Sequence, residues 1–136
     1  MRLLTFQAER FAWRSFSKTL PDAPEQDRDE AVDDALVVFM HIEEQDEADH
    51  TRVVKHTLKH VKWLANKRGL GTVVLHSFTH LGGANAEASY AKGFMDELHR
   101  RLAATGYTVR QTPFGYFCSW NLSVYGDSLA KVYKAF

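Results

Sequence analysis

One nearly unbroken apolar run, ALVVFMHI at Ala35–Ile42, constrains the fold of this chain more than any other segment. It has the length of a strand, and charged residues lie on both sides of it. A strand without polar alternation is typical of the centre of a sheet that is covered on both faces. Ala35–Ile42 is therefore predicted to be a central buried strand, against which the rest of the chain must pack.

Two amphipathic helices are predicted after this run. Apolar residues recur at helical spacing before a glycine stop at Gly69–Gly71, and again in a second stretch for which Asn85 is the candidate N-cap. The helix-spaced residues are Val54, Thr57, Leu58, Val61, Leu64 and Ala65 in the first helix, and Ala91, Phe94, Met95, Leu98 and Leu102 in the second. A terminal helix is also expected over Ser128–Ala135.

Six segments have the composition or the alternation of strands. In chain order, the predicted strands are Arg2–Gln7, Arg10–Phe16, Ala35–Ile42, Thr72–Ser77, Tyr107–Arg110 and Tyr116–Tyr125. The first two are separated by the polar pair Ala8-Glu9, which suggests a hairpin. Ser17–Asp33 is rich in acids, contains two prolines and is expected to be an exposed loop. This order predicts an α/β fold, with a layered mixed sheet and two main helices.

Length and composition favour one soluble domain that covers residues 1–136. A chain of 136 residues with 45% hydrophobic and 25% charged residues resembles an average globular domain. The single cysteine, Cys118, cannot form an internal disulfide, and no segment is long and apolar enough to cross a membrane. A cytoplasmic location is expected.

The net charge of zero hides a strong separation of charges along the chain. The segment 22–49 holds twelve acids and one arginine, whereas 51–68 holds six Lys or Arg residues and no acid. The first helix is therefore locally basic. Such a helix could face the phosphates of a nucleic acid, or it could be a solvated surface that pairs with the acidic segment.

Two short loops that follow strands carry the most specific motifs of the chain. The first loop is Ser77-Phe78-Thr79-His80-Leu81. The second is Thr112-Pro113-Phe114-Gly115-Tyr116, and Gly126-Asp127-Ser128-Leu129-Ala130 follows it. These segments resemble the Phe-Ala-His-Leu-Ser, Ala-Pro-Phe-Gly-Tyr and Gly-x-x-Leu-Ala motifs of the archaeal-type editing domain of threonyl-tRNA synthetase. The resemblance implies a fold like that of the D-aminoacyl-tRNA deacylases.

The resemblance also implies an activity, which is hydrolysis of the ester that joins serine to the 3′ end of threonine tRNA. Water attacks the ester carbonyl with help from backbone groups and from the 2′-OH of the RNA, and no metal or cofactor is required. The loop residues expected to bind the substrate are Phe78, Thr79, Leu81, Gly82, Pro113, Phe114, Gly115, Tyr116 and Phe117. His80 is the principal candidate for a catalytic role, since an imidazole can orient a hydroxyl or a water.

Two positions depart from the family pattern. The family usually has a lysine two positions after the motif tyrosine and a glutamate directly after Leu-Ala, where this chain has Cys118 and Lys131. Cys118 and Lys131 are nevertheless candidate catalytic residues beside His80. Cys118 could be a thiolate nucleophile paired with His80, but its place on the apolar face of a strand favours a role in packing.

Two other groups of residues have a structural and a functional interpretation. His56 and His60, four residues apart, could bind a metal, but no third ligand accompanies them in the sequence. Tyr116, Phe117 and Trp120 could stack on the terminal adenine, although core packing is the stronger interpretation for Trp120.

Three functional hypotheses follow. The first is a stand-alone deacylase that acts on the aminoacylated 3′ end of tRNA. The second is a binding module that has lost hydrolysis and recognises an aminoacyl-adenosine-like ligand. The third is an accessory subunit that partners a threonyl-tRNA synthetase lacking its own editing domain, and aminoacylation by this chain alone is not expected. Related folds commonly pair, so a homodimer is expected, with no membrane partner.

Overall fold

The computed structural model describes all residues, 1–136, and its centre is a long antiparallel pair of strands. Strand β1 (Arg2–Lys18) pairs with β2 (Asp29–His41) along most of its length, from Arg2 opposite His41 to Arg14 opposite Asp29. The second half of β2 is buried, as its apolar run predicts. The central buried strand is thus confirmed.

Parallel strands extend the sheet beyond β2 through two helical crossovers. A short 3₁₀ helix (Glu44–Asp49) leads into α1 (His50–Lys67), after which β3 (Thr72–Ser77) lies parallel to β2. Helix α2 (Ala88–Ala104) then connects β3 to the short parallel edge strand β4 (Thr108–Gln111). Both helices and β3 lie where the spacing of apolar residues predicts them, and the edge strand is shifted by one residue.

The last third of the chain returns to the other edge of β1. Strand β5 (Tyr116–Val124) pairs with β1 between Ala8 and Lys18, and β6 (Lys131–Ala135) pairs with its first residues, Arg2–Phe6. The strand order is β4-β3-β2-β1-β5, with β6 beside β1. The sheet therefore contains both parallel and antiparallel pairs, as predicted.

Apolar residues cover both faces of this sheet. On one face, the helices bury side chains such as Val61, Leu64 and Leu98 against Leu36 and Val38 of β2. On the opposite face a second cluster forms without any helix, and its buried members are Ala8, Phe11, Trp13, Ala35, Val37, Phe39 and Val74. No helix is long and apolar enough to cross a membrane.

The predicted hairpin at the amino terminus is wrong, because Arg2–Lys18 is one continuous strand. The polar pair Ala8-Glu9 does not form a turn. Instead, the pairing with β5 shifts register between Ala8 and Arg10. A β-bulge accommodates one extra residue within a strand, so a short polar interruption need not end it.

Two other boundaries differ from the sequence prediction. The expected terminal helix is wrong, because only Ser128–Ala130 forms a 3₁₀ turn and the following residues form β6. That strand satisfies the backbone groups along the first residues of β1, which would otherwise form an open edge. The acidic loop is shorter than predicted, since β2 already begins at Asp29.

Candidate functional site

A cavity of ≈ 480 Å³ lies where the parallel strands β2 and β3 end. The carboxyl ends of parallel strands and the loops that follow them are the usual place for a ligand in an α/β sheet. The lining residues are Thr19, Leu20, Ile42, His76, Ser77, Phe78, Thr79, His80, Asn85, Ala86, Ala88, Ala91, Pro113, Phe114, Gly115, Tyr116, Phe117, Cys118 and Trp120. None of them is Lys, Arg, Asp or Glu, so the lining contains no ammonium, guanidinium or carboxylate group.

His80 lies on the loop after β3, at the wall of this cavity. Its ring is exposed and stands edge-on to Phe78, with 5.2 Å between the ring centroids. No protein group forms a hydrogen bond with its imidazole, and the backbone N–H groups of Thr79 and His80 also have no protein acceptor. A side chain and two amide donors are thus free to contact a ligand.

The position of this loop is fixed by His41, the last residue of β2. The backbone N–H of Leu81 donates to Nδ1 of His41 at 3.2 Å, and Nε2 of His41 lies 2.7 Å from Oδ1 of Asn85. Because Nδ1 accepts a hydrogen bond, the proton of the neutral ring must be on Nε2, which then donates to Asn85. The buried His41 therefore holds together both ends of the loop that carries His80.

Replacing His41 by Ala is expected to loosen the His80 loop. The Leu81 N–H loses its acceptor, and one hydrogen bond is worth about 1 kcal/mol, so amide exchange at Leu81 should become about fivefold faster. His41→Gln can accept from Leu81 and donate to Asn85, and it should restore most of the protection. Hydrogen exchange measured by NMR tests this. Equal protection at Leu81 in the wild type and in His41→Ala would show that His41 does not hold the loop.

A buried ion-pair cluster supports the same loop from below. The carboxylate of Glu43 accepts hydrogen bonds from the amino group of Met1 at 2.7 Å and from Nε of Arg2 at 3.1 Å. Burial alone would raise the pKa of Glu43, but these two hydrogen bonds outweigh burial and the pKa is lowered. Glu43 is thus held as an anion, directly beneath Gly83.

The second wall of the cavity is the loop between β4 and β5. Gly115 has a φ of +80°, and its carbonyl accepts hydrogen bonds from the N–H groups of Thr19 at 2.7 Å and Leu20 at 3.2 Å. The Tyr116 hydroxyl donates to the carbonyl of Pro24 at 2.8 Å and accepts from the N–H of Gln26 at 2.9 Å. The acidic loop is therefore attached to this wall by four hydrogen bonds.

His76 lies at the base of the cavity and is buried. Its Nδ1 lies 2.8 Å from the Thr112 hydroxyl, and its ring centroid lies 4.7 Å from that of Phe39. Burial among these groups lowers the pKa of His76 to about 4. The imidazole is consequently neutral at physiological pH and connects β3 to the second loop.

The structure places the predicted site residues in two groups. The residues that line the cavity are Phe78, Thr79, His80, Pro113, Phe114, Gly115, Tyr116, Phe117 and Cys118. Leu81, Gly82 and Lys131 do not line it; Lys131 begins β6, and its Nζ donates to the Gly126 carbonyl at 3.3 Å. Cys118 is half-buried, its pKa is raised by burial, and no hydrogen bond joins it to His80. A reactive thiolate is therefore not favoured.

Asn85 and Trp120 differ from the sequence predictions. Asn85 is not the N-cap of α2, which is Glu87, and its side chain instead bonds His41. Trp120 is not a core residue, since 42% of it is exposed and its ring contacts Phe39 edge-on at 5.3 Å between centroids. Phe117, three residues earlier on β5, is 58% exposed. Phe117 and Trp120 are thus two exposed rings in the cavity lining, and together they form its aromatic side.

The histidines proposed as metal ligands lie elsewhere. His56 and His60 pack near Phe136, with ring centroids 5.7 and 6.1 Å from its ring. No group of three His, Cys, Asp or Glu side chains in the structure is arranged to hold a metal ion.

Comparisons with known proteins connect this chain to a family. The model of the archaea-specific editing domain of threonyl-tRNA synthetase matches residues 1–136. Among similar proteins, the threonine–tRNA ligase of Methanoregula boonei is 31% identical over 98% of this chain, and that of Hyperthermus butylicus is 29% identical over 97%. The chain spans 22% of the length of each ligase.

A solved structure, the c-Myc DNA unwinding element binding protein, has a similar fold. It superposes with a TM-score of 0.70 and covers 100% of this chain and 99% of its own. The two sequences are 13% identical, so the likeness concerns the fold alone. It confirms the α/β fold class predicted from the order of strands and helices.

Proposed function

Since the chain belongs to the family of archaea-specific editing domains of threonyl-tRNA synthetase, we propose that it hydrolyses the ester of seryl-tRNA(Thr). Membership of this family supports a role in tRNA editing in general. The observation that carries the specific proposal is the unpaired imidazole of His80 at the wall of a cavity that the exposed rings of Phe117 and Trp120 also line. The terminal adenosine stacks on the aromatic side, and the aminoacyl ester then lies near His80.

In the proposed reaction, water attacks the ester carbonyl and the 3′-oxygen of the ribose leaves. His80 orients the water or the neighbouring 2′-OH, and the proton released by the water is accepted by the leaving oxygen. The developing oxyanion is stabilised by free backbone donors, for which the N–H groups of Thr79, His80 and Ala88, the first residue of α2, are available. The cavity lining provides no carboxylate or ammonium group, which supports a mechanism that uses His80, backbone N–H groups and the RNA itself.

Cys118 has a packing role in this proposal. Burial raises the pKa of its thiol, which keeps the sulfur protonated and a poor nucleophile at neutral pH. The position corresponds, by resemblance, to a family lysine. Its replacement by an uncharged side chain makes the cavity less polar and leaves His80 as the principal side chain for orientation.

A second candidate function is ligand binding without hydrolysis. The observation that favours it is the position of Lys131 outside the cavity, together with the uncharged Cys118 where the resemblance places a lysine. In that case the cavity recognises an aminoacyl-adenosine-like ligand through its aromatic side. A homodimer and association with a threonyl-tRNA synthetase are further parts of the proposal and rest on the family resemblance.

The proposed activity is tested by release of serine from seryl-tRNA(Thr), with threonyl-tRNA(Thr) as the competing substrate. We expect selective serine release and a loss of about 10²-fold in kcat/KM for His80→Ala, the size typical of a positioned proton-transfer or orienting group. His99→Ala is the matched control, because His99 is on α2, outside the cavity, and bonds Gln111. A folded wild type that binds seryl-tRNA without releasing serine would favour the second candidate function.

A further inference from the structure

Four lysines on the exposed face of α1 have no carboxylate partner. Lys55, Lys59, Lys62 and Lys67 form no salt bridge and no hydrogen bond with another side chain, whereas Lys18 and Lys92 each pair with an acid. Lys55, Lys59 and Lys62 are spaced by four and three residues, so they lie along one side of the helix. The positive charge of this surface is therefore not neutralised within the chain.

The acidic segment 22–49 does not pair with this helix, apart from Arg52 with Asp49 at its first turn. The other ion-paired acids of this segment form their salt bridges with residues outside α1. The two charged segments therefore do not neutralise each other. The pairs are Glu25 with Lys18, Asp29 with Arg14, Glu30 with Arg110, Asp33 with Arg10, Glu43 with Met1 and Arg2, and Asp46 with Met1.

The basic surface is long and includes an aromatic ring. Twelve residues separate Lys55 from Lys67, which corresponds to about 18 Å along the helix axis. Trp63 is 46% exposed on this face, and Nζ of Lys67 lies 5.8 Å from its ring centroid. Burial lowers the pKa of His60, and the positive charge of the nearby Lys134 on β6 lowers it further. The surface therefore extends from α1 towards β6.

We propose that this surface, formed by Lys55, Lys59, Lys62, Trp63 and Lys67, binds the phosphate backbone of the tRNA whose 3′ end enters the cavity. The identity of the RNA rests on the proposed function. Helix α1 follows the end of β2, where Ile42 lines the cavity, after the short 3₁₀ helix Glu44–Asp49. It then runs about 27 Å away from that edge, so a nucleic acid that leaves the cavity beside α1 lies along this helix.

A row of unpaired lysines fits phosphates because each ammonium group can replace a condensed counterion of the RNA. Such contacts fix the position of the RNA without reading its sequence. The paired ends of α1 are consistent with this arrangement, since Arg52 and Arg68 are bound to Asp49 and Asp127 and are less available. The free lysines lie between these two pairs.

The inference is tested by the salt dependence of binding, measured by fluorescence anisotropy with uncharged tRNA(Thr) over a KCl series. In Lys55→Gln/Lys59→Gln we expect the slope of log K against log[KCl] to fall in magnitude by about 1–2, with about tenfold weaker binding at the lowest salt. The control is Arg100→Gln/Arg101→Gln, which removes the same charge from the exposed side of α2. It should keep the wild-type slope.

The outcomes separate this inference from the proposed function. Hydrolysis of 3′-O-seryl-adenosine, which is too small to reach α1, should be the same in the wild type and in both double variants. An equal loss of slope in the two double variants would mean that only net charge matters, and it would overturn the inference, as would an unchanged slope in the α1 variant. A reduced slope in the α1 variant alone, without serine release by any of the proteins, would support the RNA surface and reject the deacylase.

Discussion

Replacing Gly83 by Ala is expected to lower the free energy of unfolding by about 3 kcal/mol and to displace the His80 loop. Gly83 has a φ of +82°, and an added Cβ would overlap Oε2 of Glu43 and lie 3.2 Å from its Cδ. The carboxylate cannot withdraw easily, because it is buried and bonded to the amino group of Met1 and to Arg2. Either the buried ion pairs break or the loop moves.

Two glycines provide the controls. Gly71→Ala should change stability by less than about 0.5 kcal/mol, since its Cβ would meet nothing within 4 Å. Gly82→Ala should be intermediate, because Gly82 has a φ of +104° but its nearest neighbour is the flexible end of Arg2 at 3.2 Å. Urea unfolding measures all three. Similar free energies of unfolding for Gly83→Ala and Gly71→Ala would show that the Glu43 carboxylate can move away without loss of stability.

A double-mutant cycle identifies the contact that is responsible. Glu43→Ala removes the carboxylate that the new methyl group would meet. The double variant Gly83→Ala/Glu43→Ala should therefore lose less stability than the sum of the losses in the two single variants. The serine-release rate should follow the same pattern, because the loop that Glu43 supports carries His80. Full additivity would place the cause in the backbone conformation of Gly83 alone.

The helices and the parallel strands could be predicted from sequence because each has its own periodicity. The predicted strand Thr72–Ser77 coincides with β3, and the apolar spacing from Val54 to Ala65 lies within α1. The two ends of the chain could not be predicted in the same way. The bulge near Glu9 and the pairing of β6 with β1 depend on partners that are distant in sequence, and a local pattern does not contain them.

For the candidate site, the two loops could be predicted but their supports could not. His80 and Phe114 belong to recognisable motifs, and both line the cavity. His41 lies within an apolar run, and the sequence does not show what its side chain contacts. The only indication of a role is that a buried polar side chain needs a hydrogen-bond partner. Its partners, Leu81 and Asn85, lie about forty residues further along the chain. The alternation of β5 favours core packing for Trp120, which shares a strand face with Leu122 and Val124, but a local pattern does not show that this face is left partly exposed.

The wild type is expected to lose about 3 kcal/mol of stability as pH falls from about 6.5 to about 4, because His76 is buried as a neutral base. Its pKa is about 4 in the folded protein and about 6.5 in an unfolded chain, so the unfolded state binds more protons in this interval. The stabilisation is therefore complete above pH 6.5 and is lost towards pH 4. His60, whose pKa is also lowered, changes stability in the same direction.

His76→Gln should flatten this pH dependence, since glutamine does not titrate but can still bond the Thr112 hydroxyl. Urea unfolding at intervals between pH 4 and pH 7 measures both proteins. The carboxylates with lowered pKa, Glu43 and Glu97, act below about pH 4.5, so the two causes can be separated. A wild type whose stability is constant from pH 6.5 to 4.5 would contradict a neutral, buried His76.

Because this imidazole connects β3 to the loop that begins at Thr112, its protonation should also disturb the cavity between the two loops. Ligand affinity should therefore fall over the same pH interval as stability.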